Sequence, residues 1–249
     1  MKNLLLIVSI IFSLPAKGQV QLTLSLERNF YIAYEPLVVQ VALTNLGERD
    51  LKLENTGHRR WLGFDIQMAN GHWLAPRYVD EPASILKAGS TMTHRVNVTP
   101  LFALEDFGGY RISATVFLTD INRCVRSAEK QFEITGGRLL KQQEVSDHTD
   151  IRLVSLLVHQ LPQSRALYLR IEDKRRGIIY CTHQLGNWVS YSQPEIEIDD
   201  MRSVHILQSD APRKFIYTRV NLDGKILECR AYVETAIRPS LKKIVEGVY

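Results

Sequence analysis

Seven histidines and three cysteines are the side chains of this sequence that could bind a metal ion or act as nucleophiles. The histidines are His58, His72, His94, His148, His159, His183 and His205. A zinc site needs three or four converging ligands, and signatures such as His-Glu-x-x-His or Cys-x-x-Cys do not occur in the sequence. The acidic turns 147–150 and 199–200 lack the regular oxygen ladder of a calcium loop. We therefore predict no metal site and no cofactor.

Recognisable catalytic motifs are also missing from the sequence. It has no Gly-x-Ser-x-Gly nucleophile turn and no glycine-rich phosphate loop. Catalytic Ser-His-Asp sets can assemble from residues that are distant in sequence, so the missing motifs argue against an enzyme without excluding one. We predict a protein without catalytic residues.

A stretch that contains Tyr-x-Arg and ends near a cysteine occurs twice, at 165–184 and 213–232. Each copy has a charged turn between two apolar runs, which predicts a duplicated β-hairpin rather than a duplicated active site. Because side chains alternate across a strand, the Tyr-x-Arg residues are expected on the outer, solvent-facing side of the hairpins. These residues are Tyr168, Arg170, Tyr217 and Arg219.

The same alternation places Cys181 and Cys229 among inner aliphatic residues. They lie in equivalent registers of the two hairpins and form a candidate disulfide, since an exported chain folds in an oxidising compartment. The alternative is a pair of separate buried thiols. Cys124 lies near a loop that joins two strands, and we expect it to be free.

Exposed aromatic side chains provide the candidate binding residues. Trp61, Trp73 and Trp188, with Tyr191, occur at strand starts or in loops, where a carbohydrate or a peptide could stack on them. The alternative is that each tryptophan closes the end of a sandwich core.

The composition is that of a folded protein, with 45% apolar and 23% charged residues in 249. The N-terminal Lys2, the apolar run that follows it and the breaker Pro15 predict a signal peptide over residues 1–18. Its removal would lower the net charge from +4 to +2, which argues against a nucleic-acid partner. We predict a periplasmic or extracellular protein with no stable membrane insertion after cleavage.

Period-two alternation dominates residues 20–137 and predicts seven or eight short strands. Leu22, Leu24 and Leu26 share one face of the first, and Leu62, Phe64 and Ile66 share one face of a later strand. Strands at this regular spacing predict a Greek-key β-sandwich.

The segment Asp106–Tyr110 resembles the Asp-x-Gly-x-Tyr tyrosine corner of immunoglobulin-like domains, although Ile112 replaces the cysteine of antibody domains. Residues 20–137 are similar to bacterial extracytoplasmic Ig-like modules. They are also distantly similar to BsuPI-type proteinase-inhibitor and macroglobulin-like domains. The resemblance implies an Ig-like fold without the inter-sheet disulfide. The C-terminal half resembles uncharacterised secreted bacterial proteins, which implies no chemistry.

The polar segment 136–150 predicts a domain boundary, and the apolar run 151–161 predicts either a short helix or a buried strand. Three hairpins are expected after it, at 166–185, 195–207 and 215–233, the last turning at Asp223 and Gly224. We therefore predict an all-β protein: a signal peptide (1–18), an Ig-like Greek-key sandwich (19–137) and a second antiparallel domain of hairpin repeats (138–249). The second domain is either a meander or a small sandwich.

The predicted function is that of an exported, non-enzymatic binding or assembly protein with a protein or carbohydrate partner. The similarity to inhibitor domains implies a first alternative, a periplasmic proteinase inhibitor. A second alternative is a carbohydrate-active or hydrolytic accessory protein with a site between the two domains.

Overall fold

β-Strands make up most of the chain, which confirms the prediction of an all-β fold. The structure, a computed structural model, describes residues 20–57, 59–77, 81–146, 151–234 and 238–247. The predicted signal peptide and the acidic turn 147–150 lie outside these ranges. Among the described residues, no helix has the length and apolar character needed to cross a membrane.

Ten strands precede residue 137 in the described part of the chain, and most have the alternating burial that the sequence predicts. They are β1 (Val20–Leu26), β2 (Phe30–Ile32), β3 (Val38–Asn45), β4 (Leu51–Leu53), β5 (Leu62–Met68), β6 (Ser84–Leu86), β7 (Thr91–Asn97), β8 (Gly108–Leu118), β9 (Arg123–Arg126) and β10 (Lys130–Thr135). Strands β2, β4, β6 and β9 are too short to show a period and were not separately predicted.

These strands form a sandwich around one apolar core. One sheet has the order β1-β3-β7, and the facing sheet has the order β2-β10-β8-β5 with β9 added to β8. A third pair, β4-β6, closes one side. The core takes its side chains from both main sheets, including Val39 and Val41 from β3 and Ile66 and Ile112 from β5 and β8. β2 pairs parallel with β10, which alternation alone does not predict.

The tyrosine corner forms as the sequence predicts. The Tyr110 hydroxyl donates a 2.7 Å hydrogen bond to the carbonyl oxygen of Asp106, four residues earlier. The Tyr110 ring stacks on Phe132, with ring centroids 5.2 Å apart. This bond fixes the approach to β8, the central strand of the five-stranded sheet.

Eight strands and a short helix follow residue 137 within the described ranges. They are β11 (Arg138–Ser146), β12 (Ile151–Gln160), β13 (Arg165–Asp173), β14 (Ile178–Asn187), β15 (Glu195–Ile198), β16 (Ser203–Ala211), β17 (Lys214–Asn221), β18 (Ile226–Val233) and α1 (Leu241–Val245). The three predicted hairpins are β13-β14, β15-β16 and β17-β18. The polar segment 136–150, which we predicted as a domain boundary, contains the strand β11.

Two four-stranded antiparallel sheets, β11-β12-β13-β14 and β15-β16-β17-β18, pack face to face. Their shared core includes Val154, Leu169, Val204 and Ile206. The second region is therefore a small sandwich built from two meanders. No strand is shared between the sheets before and after residue 137, and the division into 19–137 and 138–249 stays a prediction.

The two central strands of the sheet β11-β14, β12 and β13, are buried on both faces. One face contributes to the sandwich core, and the other face, through Leu157, Ala166 and Tyr168, packs on Ile32 of the first region. This double burial explains why 151–161 reads as an unbroken apolar run. It also shows that the prediction of a solvent face for Tyr168 was wrong, since its side chain is fully buried.

The face that carries Tyr217, in the second Tyr-x-Arg stretch, is likewise covered, but by a different element. Tyr217 lies in an apolar cluster with Leu207, Phe215 and Leu241 of α1. The helix thus covers part of the outer face of β15-β18, and the predicted exposure of Tyr217 was also wrong.

Candidate functional site

An open groove of about 710 Å³ runs beside β5 on the five-stranded sheet. We call it the β5 groove. Its lining includes the apolar residues Leu101, Phe102 and Phe117 and the charged residues Arg59, Arg60, Asp65, Arg77 and Glu81. A concave surface with an apolar floor and a few placed polar groups is the usual form of a binding site.

The main chain of β5 is an open strand edge where it borders the groove. β5 is the last strand in the order β2-β10-β8-β5. Only its C-terminal part is covered, where Leu74 N–H donates to the Ile66 carbonyl oxygen at 2.9 Å. Hydrogen-bonding direction alternates along a strand, so the peptide groups of Phe64 and Leu62 point the same way as that carbonyl. Within the described ranges, no hydrogen bond occupies this edge of Leu62 and Phe64.

Gly63 keeps the floor of the groove open. It lies in the interior of β5 with no positive φ, and a Cβ built on it would meet no atom within 4 Å. Backbone geometry therefore does not require glycine at this position. Glycine inside a strand often marks a place where a ligand or another backbone approaches closely. Thr115, which is paired with Gly63 on the neighbouring strand β8, also lines the groove.

The charges of the groove favour an anionic ligand. Asp65 pairs with Arg126 at 3.5 Å, and Glu81 is hydrogen-bonded to His94 at 2.8 Å. Neither Arg126 nor His94 lines the groove, so both acidic residues are engaged by groups outside it. Arg59 and Arg77 at the rim can therefore direct their positive charge at a bound carboxylate.

Arg59 is held in a defined position at this rim. Its guanidinium lies 5.1 Å from the centre of the Phe117 ring and donates a 3.3 Å hydrogen bond to Asn122 Oδ1. Arg77 is placed by the main chain, since its N–H donates to the Leu101 carbonyl oxygen at 2.6 Å. Both arginines are solvent-exposed, so their guanidinium groups are accessible to a ligand.

The predicted aromatic binding residues are not brought together. Trp61 is buried in the core, where its Nε1–H donates to the Pro82 carbonyl oxygen at 3.1 Å, as the alternative interpretation proposed. Trp73 is 50% exposed and lies 5.8 Å from the guanidinium of Arg126. Trp73 therefore flanks the β5 groove through Arg126 and Asp65 without lining it.

Trp188 and Tyr191 lie in the second region, after β14. Trp188 is half-buried, with the guanidinium groups of Arg138 and Arg165 at 5.7 and 5.5 Å from its ring. Tyr191 is 69% exposed. Two arginines against one indole ring stabilise the loop locally, and these aromatics do not contribute to the groove.

The candidate disulfide is not formed: all three cysteines of the chain, which lie in described segments, are free. Cys181 is buried in the second sandwich, and burial raises its pKa to about 11. Cys229 is exposed on β18. The prediction of an inner, buried position for Cys229 was wrong, because the sandwich core does not extend beneath this edge strand.

A buried polar cluster joins the two regions. Arg28 pairs with Glu35 at 2.5 Å and donates to the hydroxyl of Tyr168, also at 2.5 Å. Gln184 accepts a further bond from Arg28 at 3.2 Å. Burial raises the pKa of the Glu35 carboxyl, and the positive charge of Arg28 offsets this only in part. Burial also raises the pKa of Tyr168.

Further polar contacts cross the same boundary. Arg170 donates a 2.6 Å hydrogen bond to the Ala33 carbonyl oxygen, and the Thr135 hydroxyl lies 2.7 Å from His159 Nε2. The predicted solvent face for Arg170 was therefore wrong as well. These hydrogen bonds join the two regions, and we interpret the cluster as holding them together rather than as receiving a ligand.

An Asp-His-Tyr chain lies on the outer face of β15-β18. His205 Nε2 is 2.9 Å from Asp199 Oδ2, and His205 Nδ1 is 2.8 Å from the Tyr217 hydroxyl. His205 and Tyr217 are buried, and burial raises the pKa of Tyr217. A phenol kept neutral and away from solvent is a poor nucleophile, so we interpret the chain as structural.

Comparisons with known proteins leave the family open. No protein-family model matches the sequence, and no curated protein matches it. The BsuPI-type resemblance therefore stays a prediction. The described residues contain no group of three His, Cys, Asp or Glu side chains placed to hold a metal ion.

Among the solved structures that match this chain, three show how weak the similarity is. Spo0M, a sporulation control protein from Bacillus subtilis, is 10% identical with a TM-score of 0.32, covering 65% of this chain and 83% of that chain. The periplasmic chaperone SfaE is 14% identical with a TM-score of 0.28, covering 86% and 100%. The chaperone YadV is 11% identical with a TM-score of 0.27, covering 84% and 98%. Similarities this weak carry no argument about the function of this chain.

The residues of the β5 groove were not predicted as a site. Arg59 and Arg60 directly precede Trp61 in the sequence, but Arg77 and Phe117 are far along the chain. One local signal was present: Gly63 interrupts an otherwise strong strand pattern at an outward-facing position. Gly63, close to the consecutive Arg59 and Arg60 in the sequence, would have indicated the position of the groove.

Proposed function

We propose that this protein is an exported, non-enzymatic binding protein that holds an extended, acidic segment of a partner protein in the β5 groove. The observation that carries the proposal is Gly63, which leaves open the floor of an arginine-rimmed groove beside a free strand edge. Export is supported by the sequence of residues 1–18.

The open edge explains why an extended segment fits. A partner strand laid beside β5 would satisfy the outward peptide groups of Leu62 and Phe64 and continue the five-stranded sheet. Alternate side chains of that strand would face the groove floor at Gly63 and Phe117. Backbone pairing supplies affinity, while the groove supplies the preference for side chains.

The charge of the rim explains why the segment is acidic. A carboxylate that reaches Arg59 or Arg77 forms a charge-assisted hydrogen bond, which contributes about 1.5–3 kcal/mol. The two acidic residues of the groove, Asp65 and Glu81, are paired with Arg126 and His94, which lie outside it. A basic segment would instead face like charges.

Fluorescence anisotropy tests the proposal with two labelled peptides that differ only in charge. One alternates valine with glutamate, and the other alternates valine with lysine. We expect the glutamate peptide to bind and to weaken about tenfold or more in Arg59→Glu or Arg77→Glu, following the cost of one charged contact. Arg111→Glu is the matched control, because Arg111 is exposed on the same sheet but lines a separate depression.

Gly63→Leu tests the shape of the site without changing its charge. A Cβ at this position would meet no atom within 4 Å, so the variant should fold normally, and its side chain should fill the groove and abolish peptide binding. Gly109→Ala is the control, since Gly109 lies on β8 of the same sheet and a Cβ there makes only an ordinary 3.5 Å contact. Equal binding of both peptides, or unchanged binding in a folded Gly63→Leu variant, would refute the proposal.

A further inference from the structure

Among the residues that the structure describes, no strand pairs with the outer side of β18, which is an edge of the second sandwich. It ends the order β15-β16-β17-β18, and it is eight residues long. Its exposed apolar residues include Ile226, Leu227 and Val233, which are 45%, 43% and 70% exposed. A long, apolar, unprotected edge is a ready template for pairing with another strand.

The hydrogen-bond pattern shows which peptide groups face this edge. Glu234 N–H donates to the Arg213 carbonyl oxygen at 2.8 Å, so these two residues form a hydrogen-bonded pair. The β17-β18 register continues from there without a shift to Arg219. Because pairs alternate in an antiparallel ladder, the peptide groups of Cys229 and Ala231 point away from β17, toward the open edge.

The side chains of β18 are complementary to those of a second β18 strand in antiparallel orientation. With the twofold axis at Cys229, Glu228 lies opposite Arg230 of the second copy, and Arg230 lies opposite its Glu228. Leu227 then lies opposite Ala231 of the second copy on the other face. Both charges and apolar faces match, which a symmetric dimer interface requires of a single surface.

The opposite edge of the same sheet provides the contrast. β15 has only four residues, and Glu195 and Glu197 alternate along it. Glutamates repeated along a short edge discourage pairing of that edge with itself. Of the two edges of this sheet, only β18 has the length and the self-complementary charges for pairing.

We propose that β18 is the interface through which two copies of this chain associate, as an antiparallel pair centred on Cys229. The sheet β15-β18 of one copy then joins the same sheet of the second copy, and the two form one continuous eight-stranded sheet across the dimer. The exposed inner-face side chain of Leu227 acquires an apolar neighbour, Ala231 of the second copy. The site differs from the β5 groove and does not depend on the function proposed for that groove.

Sedimentation velocity over a range of protein concentrations tests the dimer. We expect the fraction of dimer to rise with concentration, and Ala231→Pro to weaken association at least tenfold. Proline removes an N–H that faces the open edge and not one that bonds to β17, so the variant should fold. Ala231→Val, which keeps the N–H, is the control and should dimerise like the unaltered protein. Urea unfolding verifies that each variant is folded.

A thiol trap locates the interface independently. A hydrogen-bonded antiparallel pair has Cα atoms about 5.5 Å apart, which is within the range that a disulfide spans. In Cys124→Ser, added diamide should oxidise two Cys229 thiols to one disulfide and yield a covalent dimer, the diamide being reduced to its hydrazine. Cys229→Ser, which keeps Cys124, should remain monomeric on denaturing gels. A monomer at every concentration, undiminished association in folded Ala231→Pro, or equal cross-linking through Cys124 would overturn the proposal.

Discussion

Arg28 and Tyr168 lie 140 residues apart in the sequence and share a hydrogen bond of 2.5 Å between guanidinium and phenol. The bond belongs to a cluster in which Glu35 is almost fully buried, with 3% of its side chain exposed. Arg28 is therefore the cation that makes burial of this carboxylate tolerable.

Arg28→Met should destabilise the protein at neutral pH by about 3 kcal/mol, because it leaves the Glu35 carboxylate buried without its cation. The pKa of Glu35 already lies above its ordinary value of 4.5 and should rise further in the variant. A raised carboxyl pKa favours folding at low pH and loses that contribution as the pH rises through the folded-state pKa. The cost should therefore shrink in mildly acidic solution.

Urea unfolding at neutral and mildly acidic pH measures this effect. The double variant Arg28→Met with Glu35→Gln removes the charge and should recover part of the lost stability at neutral pH. A cost that is the same at both pH values, with no recovery in the double variant, would contradict this account of the cluster.

His159 should make the protein less stable as the solution is acidified. Burial lowers its pKa below the ordinary 6.5, and the charge of Arg28 lowers it further. The unfolded chain then takes up a proton that the folded protein does not, so stability is full above pH 6.5 and declines as the pH falls toward the folded-state pKa.

His159→Gln should reduce this decline, since glutamine can still reach the hydroxyl of Thr135 but does not titrate. The free energy of unfolding is measured as a function of pH for both proteins, and their difference isolates His159 from the opposite contribution of Glu35. Parallel pH profiles for the two proteins would show that His159 does not titrate on unfolding.

The three thiols should react with Ellman's reagent in two classes. Cys124 and Cys229 are exposed and should react rapidly, while Cys181 is buried and its pKa is raised to about 11. Because the thiolate is the reactive form, Cys181 should react only as the protein opens. In denaturant, all three thiols should react rapidly. Three fast thiols in the folded protein would contradict the burial of Cys181.

Gly224 should tolerate alanine less well than Gly177 does, although both are turn glycines with positive φ. A Cβ at Gly224 would lie 2.6 Å from the Cβ of Cys181, whereas one at Gly177 would meet nothing within 4 Å. We expect Gly177→Ala to cost about 1 kcal/mol from backbone strain alone. Gly224→Ala should cost about 3 kcal/mol from strain and overpacking together.

Thermal and urea unfolding compare the two variants directly, with Gly177→Ala as the control for strain. Equal costs would mean that the close approach of Gly224 to Cys181 is relieved without loss of packing.

Alternation in the sequence predicted which residues fill the cores of long strands. Leu22 and Leu24 of β1, and Leu62, Phe64 and Ile66 of β5, are buried as expected. Strict alternation along a strand identifies the residues that share a face, because successive side chains point in opposite directions. It does not state what lies against the other face.

The wrong predictions have a common origin, because alternation does not show what packs against the second face of a strand. Tyr168 and Arg170 were assigned to solvent, but their face packs on the first region through Ile32 and Ala33. Cys229 was assigned to a core that ends before β18. The β5 groove also depends on tertiary contact, since Arg59, Arg77 and Phe117 are brought together only by the packed sheets.

The shared wall formed by β11-β14 has a consequence for how the chain unfolds. Its side chains Leu157, Ala166 and Tyr168 are buried only while Ile32 of the first region covers them. Loss of the first region would expose this apolar surface to water and remove much of the stability of the second. Calorimetry should therefore record one cooperative transition for the full chain, so that the two sandwiches seen in the architecture behave as a single thermodynamic unit.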